Sequence, residues 1–443
     1  MVLENTNEYM IVNGNKQINI TNESSIEETY TFTSNNTSIA TVSNTGMVTA
    51  VSSGDAIITI TGNTSNETKR VNVHVSNDNN IVLFDPSSSA IKNYFANINE
   101  WKNLDETNFR LAMKNNFETF HCNWNIESKY VSWTTTWDHD GYVDCDRPNP
   151  YITGANSAIT VYEYNSDANH DYTNDTPITY LYTTSNGEIY NMIPGKIYHW
   201  VKTNDTTVSG NVQATNTIRT LYVSNARNIR ELGGLPVDVD NNGTIDGYTK
   251  YGMLFRGERL YTANEHPYTG SGTNTNATEL ANLGAVYELD LRGSGENQSD
   301  VTLATKQLQS ITHYRPDTDA TRIRAALRYA MNSVIAGNPV YFHCTYGADR
   351  TGTVAYMLEG LLGVPDENRT EDFELSTFFG IVPRNRYFSI EDASNRNDPY
   401  KWTYLKGKLP DTESIYNWFT NNGATTEDVT LVSQFRTVMI NYN

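Results

Sequence analysis

The stretch His343-Cys344-Thr345-Tyr346-Gly347-Ala348-Asp349-Arg350-Thr351-Gly352 constrains the fold more than any other part of this 443-residue chain. The preceding Pro339-Val340-Tyr341-Phe342 reads as a short buried strand. The following residues, Thr353 to Leu362, carry Val354, Met357, Leu358, Leu361 and Leu362 at helical spacing. A loop that joins a strand end to a helix start turns its backbone N–H groups toward a common centre. Such a centre binds anions, helped by the positive end of the helix dipole. A thiol held there has a lowered pKa and acts as a nucleophile. Arg350 can grip a phosphate through two parallel hydrogen bonds, as lysine cannot. The competing reading is a buried cysteine and a helix-capping arginine that coincide by chance. Strand, mid-loop glycine, helix and His343 together favour the anion site.

Residues 224–443 alternate strands and helices around this loop. Ala285-Val-Tyr-Glu-Leu-Asp290-Leu-Arg292 reads as a strand, as does Ser310-Ile-Thr-His-Tyr-Arg315. Ile323, Ala326, Leu327, Ala330, Met331, Val334 and Ile335 mark a helix of about five turns. This pattern predicts an α/β domain with a largely parallel central sheet. Its ligand crevice belongs at the carboxyl ends of the strands, where Cys344 falls.

The Cys-x5-Arg-Thr-Gly pattern resembles the signature of the cysteine-dependent protein tyrosine phosphatase superfamily. Further motifs, in order from Asn225 onward, resemble its bacterial-type tyrosine-protein phosphatase family. They are Asn228-Ile-Arg-Glu-Leu-Gly-Gly234, Tyr251-Gly-Met-Leu-Phe-Arg256-Gly257, Asp290-Leu-Arg292 with Glu296, Asp372-Phe-Glu-Leu-Ser376, and a terminal helix from Thr425 to Ile440. One position departs from the pattern. The family's loop usually has lysine before Asp349, and here that residue is Ala348. Its absence weakens an inositol-lipid substrate and favours a singly phosphorylated one such as phosphotyrosine.

The resemblance implies a two-step phosphomonoester hydrolysis through a phosphocysteine at Cys344. Arg350 and the backbone N–H groups of residues 345–350 (Thr345, Tyr346, Gly347, Ala348, Asp349, Arg350) would bind the equatorial oxygens. Thr351 would donate its hydroxyl to the thiolate, and His343 would orient the loop. Asp317, after Pro316 and 27 residues before Cys344, is the first choice for the general acid. Asp319 and Asp349 are its rivals, and a helix N-cap is the plain structural role for Asp317. This chemistry requires no metal or other cofactor.

Ahead of this domain, residues 1–78 show short alternating runs broken by Gly46 and Gly54 and no helical period. They resemble a bacterial immunoglobulin-like domain of group 2. Residues 79–223 read as a second, β-rich region, with short helices in 90–120. Ile189 to Val201, with its Pro194-Gly195 turn and aromatic strand, resembles fibronectin type III domains. The chain is thus expected to be multidomain, two β-sandwich domains followed by an α/β phosphatase-like domain at 224–443. Trp124, Trp133 and Trp137 with Asp138-His139-Asp140 read as core tryptophans beside an acidic turn, in preference to a sugar platform or metal site. Cys122 and Cys145 either pair, which fits an oxidising location, or stay free.

A formal net charge of −19 makes the chain a poor partner for nucleic acid and for anionic membranes. No apolar run is long enough to span a bilayer. Met1 opens no signal peptide, so an extracellular or cell-surface location implies either a removed leader or another exit, such as release with a phage virion. Expected partners are a phosphorylated protein or small phosphomonoester, with surface or virion attachment through the N-terminal domains. Asp238, Asp240, Asn242, Thr244 and Asp246 resemble the first nine positions of a calcium loop, with Thr249 at the twelfth, where a bidentate Glu is needed. A polar hairpin turn at Asn242-Gly243 is the other reading. The rival to an enzyme is a surface or virion protein with a non-catalytic phosphatase fold.

Overall fold

The computed structural model describes residues 2–3, 7–18, 20–21, 28–66, 68–76, 81–86, 148–165, 170–215, 219–224, 226, 228–260, 276–293, 296, 303, 305–312, 315–376, 401–421 and 426–442. Cys122, Cys145, the three tryptophans, Asp138-His139-Asp140 and the helices expected in 90–120 lie outside them. The chain divides into two compact units, one of residues 1–86, 150–217 and 240–247, the other holding the rest.

In the first unit the described N-terminal residues form a two-stranded pair, Val2–Leu3 with Ile20–Thr21, and two larger sheets. One has the strand order Asn7–Ile11, Thr68–Ser76, Gly54–Gly62, Tyr30–Ser34; the other Asn15–Gln17, Met47–Ala50, Ala40–Val42. Ala56, Ile58 and Ile60 alternate inward against Val71, Val73 and Val75, as a half-buried strand requires. Gly46, at φ +81°, makes the expected turn, and a Cβ there would meet the Phe32 ring at 2.8 Å.

The second β-rich region also has two sheets. The first is ordered Ile81–Phe84, Asp205–Ala214, Ile197–Lys202, Ile159–Glu163. The second is ordered Tyr151–Ile152, Glu188–Tyr190, Tyr182–Thr183. Between them lies a core that includes Ile189, Tyr198, Trp200 and Val212. Gly195, at positive φ, forms the turn expected after Pro194, and Gly187, also at positive φ, forms a second turn.

The second unit contains a five-stranded sheet of β1 (Arg230–Glu231), β2 (Leu254–Gly257), β3 (Tyr287–Asp290), β4 (Thr305–Leu308) and β5 (Val340–His343). Its order is β1-β2-β5-β3-β4, parallel throughout except for β1. The strand read at 310–315 lies instead at Thr305–Leu308. Ile311 is buried, but as part of the segment leaving the sheet. The true edge strand is the polar Thr-Lys-Gln-Leu, whose Lys306 reaches Asp290 at 2.9 Å.

Each central strand alternates its side chains between two cores. Leu254, Val340 and Phe342 face one side; Phe255 and Tyr341 face the other. The first core is closed by α2 (Ala320–Ile335) and α3 (Asp349–Leu362), joined by α6 (Thr412–Asn421) and α7 (Thr426–Met439). The second takes Leu280 from α1 (Asn276–Asn282). The stripe Ile323, Ala326, Leu327, Ala330, Met331 and Val334 is buried as its spacing predicts. Each such Leu, Ile or Val contributes about 1.5–3 kcal/mol by leaving water. The remaining helices are α4 (Asp366–Leu375) and α5 (Lys401–Lys408). Register aligns Gly257, Asp290 and His343 at one edge. Cys344 therefore emerges at the carboxyl end of the sheet.

Candidate active site

The segment Cys344–Ala348 turns from β5 into α3, which starts at Asp349, four residues earlier than the apolar spacing alone suggests. Gly347 adopts φ +68°, and a Cβ there would lie 2.3 Å from the Gly257 carbonyl. Only glycine fits this approach of two backbones. Ala348 occupies the N-cap and makes no side-chain cap bond, so the first N–H groups of α3 are left for another acceptor.

Cys344 is buried, and it is the free cysteine among the described residues. Burial pushes its thiol up, but the charge of Arg350 and hydrogen bonds from the Thr351 side chain and backbone outweigh this and lower its pKa. The Thr351 hydroxyl is buried with no oxygen or nitrogen partner, which suits a donor to the sulfur. Asp349 acts the other way, its charge raising the thiol.

Arg350 is held by Glu296. Its Nη2 bonds Oε2 at 3.0 Å and its Nη1 bonds Oε1. Glu296 also accepts from the Thr345 hydroxyl at 2.7 Å and the Gly293 N–H at 2.9 Å. Burial would raise the Glu296 carboxyl, yet these donors hold it at about 2. Glu296 takes the end of the guanidinium fork. The side edge, formed by Nε–H and one Nη–H, keeps the geometry for two parallel bonds to a phosphate. From sequence, Glu296 was visible only as part of a motif; its grip on Arg350 needed the fold.

His343 bonds the Cys344 carbonyl through Nδ1 and Glu288 through Nε2, each at 3.0 Å. Burial disfavours the imidazolium, but Glu288 outweighs it and raises the pKa. Two N–H donors aimed at two acceptors fit the protonated ring. Glu288, Asp290 and His343 bring ligand-type atoms within 4.8 Å of one another. Arg292 bonds Asp290 at 2.7 Å, and Lys306 reaches both carboxylates, so cationic side chains already fill this cluster.

Of the acid candidates, Asp317 bonds the Tyr404 hydroxyl and lies 3.6 Å from Lys408. The Tyr404 bond, with help from Lys408, lowers its pKa. The N-cap of α2 is Asp319. Asp349 opens α3, and its charge reaches the Cys344 thiol.

In the loop 238–246, Asp238, Asp240 and Asp246 bring carboxylate oxygens within 4.8 Å. Asn242 bonds Asp240 at 2.9 Å and accepts from the Thr244 N–H at 2.8 Å. Thr249 points inward, donating to the Leu232 carbonyl at 2.6 Å, so it offers no twelfth ligand.

Residues 221–396 match the sequence model described as the tyrosine phosphatase family, and residues 15–73 that of the bacterial Ig-like domain, group 2. No curated protein matches the chain in sequence. Among solved structures, P. aeruginosa TpbA is 18% identical at a TM-score of 0.26, covering 42% of this chain and 97% of that one. TpbA in complex with pTyr is 17% identical at the same score and coverage. Domains 4 and 5 of the S-layer protein SbsC are 23% identical at a TM-score of 0.14, covering 17% of this chain. The match spans about half the length of that S-layer chain, 49%.

Proposed function

Because residues 221–396 make this chain a member of the tyrosine phosphatase family, an enzyme of the protein-tyrosine-phosphatase type, we propose that it hydrolyses phosphotyrosine or a related small phosphomonoester through a phosphocysteine. The observation that carries this reading is the Cys344 thiol, lowered by Arg350 and Thr351 at the start of α3. In the first step Cys344 Sγ attacks phosphorus. The S–P bond forms, the P–O bond to the alcohol breaks, and that oxygen takes a proton from an acid. In the second, water attacks phosphorus, the S–P bond breaks and the thiolate leaves. The carboxylate formed in the first step takes the water's proton.

Arg350 and the loop N–H groups stabilise the charge on the equatorial oxygens. Asp317 is our assignment for the acid, with Asp319 and Asp349 as alternatives. Its bond to Tyr404 favours the anion, so donating a proton requires release from Tyr404. Ala348 in place of lysine supports a singly phosphorylated substrate.

The Ig-like domain supports attachment to a cell or phage-virion surface, and with it an extracellular setting. We further read residues 155–223 as fibronectin type III-like, supported by the two sheets packed around Trp200. The loop 238–246 is a structural calcium candidate, supported by its grouped carboxylates. A chelator that leaves the melting temperature unchanged removes the calcium reading.

Hydrolysis of an aryl phosphate by wild type and by Cys344→Ser tests the activity. Turnover by wild type and none by the variant is the expected result. Equal rates, or no wild-type rate from mildly acidic to neutral pH, would overturn it.

A further inference from the structure

Every carbonyl of the Cys344–Ala348 segment is bonded. The Cys344 carbonyl accepts from His343 Nδ1 at 3.0 Å, Thr345 from the Arg259 N–H at 3.3 Å, and Ala348 from the Gly352 N–H at 2.9 Å. The Tyr346 carbonyl accepts from Asn228 Nδ2 at 3.0 Å, and the Gly347 carbonyl from Arg256 Nη2 at 3.0 Å. In a trans peptide the carbonyl of one residue and the N–H of the next point opposite ways. No cis peptide occurs among the described residues. Tying down these carbonyls therefore turns the N–H groups of residues 345–349 to the other side, where a bound phosphate needs them.

Asn228 and Arg256 come from elements distant in sequence, and both are fully buried. Asn228 sits at φ +59°, a conformation Asn tolerates better than most residues, and its Oδ1 accepts from Arg230. Asp372 joins the two arginines, accepting from Arg230 Nε at 2.6 Å and from Arg256 Nη1. Nearby Glu359 is buried, and burial with the charge of Asp372 pushes it well above the usual carboxylate range. Its neutral form is thereby favoured. Two guanidinium groups then face one carboxylate, leaving positive charge beneath the loop. That charge stands in for the one Ala348 does not bring.

We propose that Asn228 and Arg256 are positioning residues of the phosphate loop, holding the Tyr346 and Gly347 carbonyls outward so that the loop N–H groups converge on the phosphoryl oxygens. The inference rests on the reading of Cys344–Arg350 as a catalytic phosphate loop. Arg256→Lys keeps the charge but reaches only one of its two partners. Asn228→Gly keeps the positive φ and deletes the amide donor without adding charge. Asn228→Asp, which also keeps the acceptor for Arg230, replaces it if the glycine variant does not fold.

The full chain is measured three ways: tungstate binding by calorimetry, the pH midpoint of Cys344 alkylation by iodoacetamide, and kcat/KM for an aryl phosphate. In variants with wild-type near-UV dichroism, tungstate affinity and kcat/KM fall at least about tenfold, and the midpoint moves to higher pH. Tyr356→Phe, which removes an equally buried bond to the Leu409 carbonyl, lowers the melting temperature and moves none of the three. Folded variants with wild-type tungstate affinity and midpoint would overturn the proposal. A wild type that binds tungstate without turnover would instead count against the proposed activity, while the binding and alkylation shifts still judge the positioning role.

Discussion

The charge on Cys344 is set by neighbours that oppose one another. Burial and Asp349 favour the thiol; Arg350 and Thr351 favour the thiolate and win. Alkylation by iodoacetamide reads the thiolate, which forms as pH rises through the pKa. Its midpoint is expected below the value of about 8.5 for a free cysteine. Arg350→Ala removes the largest stabilising charge and should move the midpoint up; a midpoint unmoved by this change would contradict the electrostatic account. The grouping of Cys344, Arg350 and Thr351 was legible in sequence because it is local, set within one turn of loop and one of helix. The bonds of Asn228 and Arg256 to the loop were not. They reach residues 118 and 91 positions away, and only the fold shows which carbonyls they hold.

At the scale of elements, the loop between β5 and α3 packs its backbone against the end of β2. Gly347 is the point of closest approach, 2.3 Å from the Gly257 carbonyl for any added Cβ. Gly347→Ala must also carry a side chain at positive φ. We expect a loss of about 1–3 kcal/mol in urea unfolding and a larger fall in kcat/KM than in stability. Wild-type stability and activity would show that the two backbones separate freely. β3, β5 and α2 were readable, since β3 alternates Tyr287 and Leu289 with acidic residues, β5 is a short apolar run and α2 carries helical spacing. The edge strand was not. Thr305–Leu308 is polar and pairs only on one side, so Ile311 nearby gave the stronger but misleading signal.

For the whole molecule, a phosphatase-family domain is coupled to β-sheet modules in a chain of net charge −19. Such a charge repels polyanions at long range and confines phosphate attraction to the local field of Arg350, the buried arginines and the α3 N-terminus. The N-terminal Ig-like domain was readable from its glycine turns and alternating strands. The central β-rich region was readable as strands, but its sheet order depends on pairing Ile81–Phe84 with Asn211 to Ala214, far along the chain. The account stands on covalent chemistry at Cys344. Its most direct test is rapid acid quench of the full chain during turnover of a phosphotyrosine peptide, followed by mass spectrometry. One phosphoryl group on the peptide carrying Cys344, and none in Cys344→Ser, is the predicted result. Turnover with the phosphoryl group on another residue, or undiminished in Cys344→Ser, would contradict it.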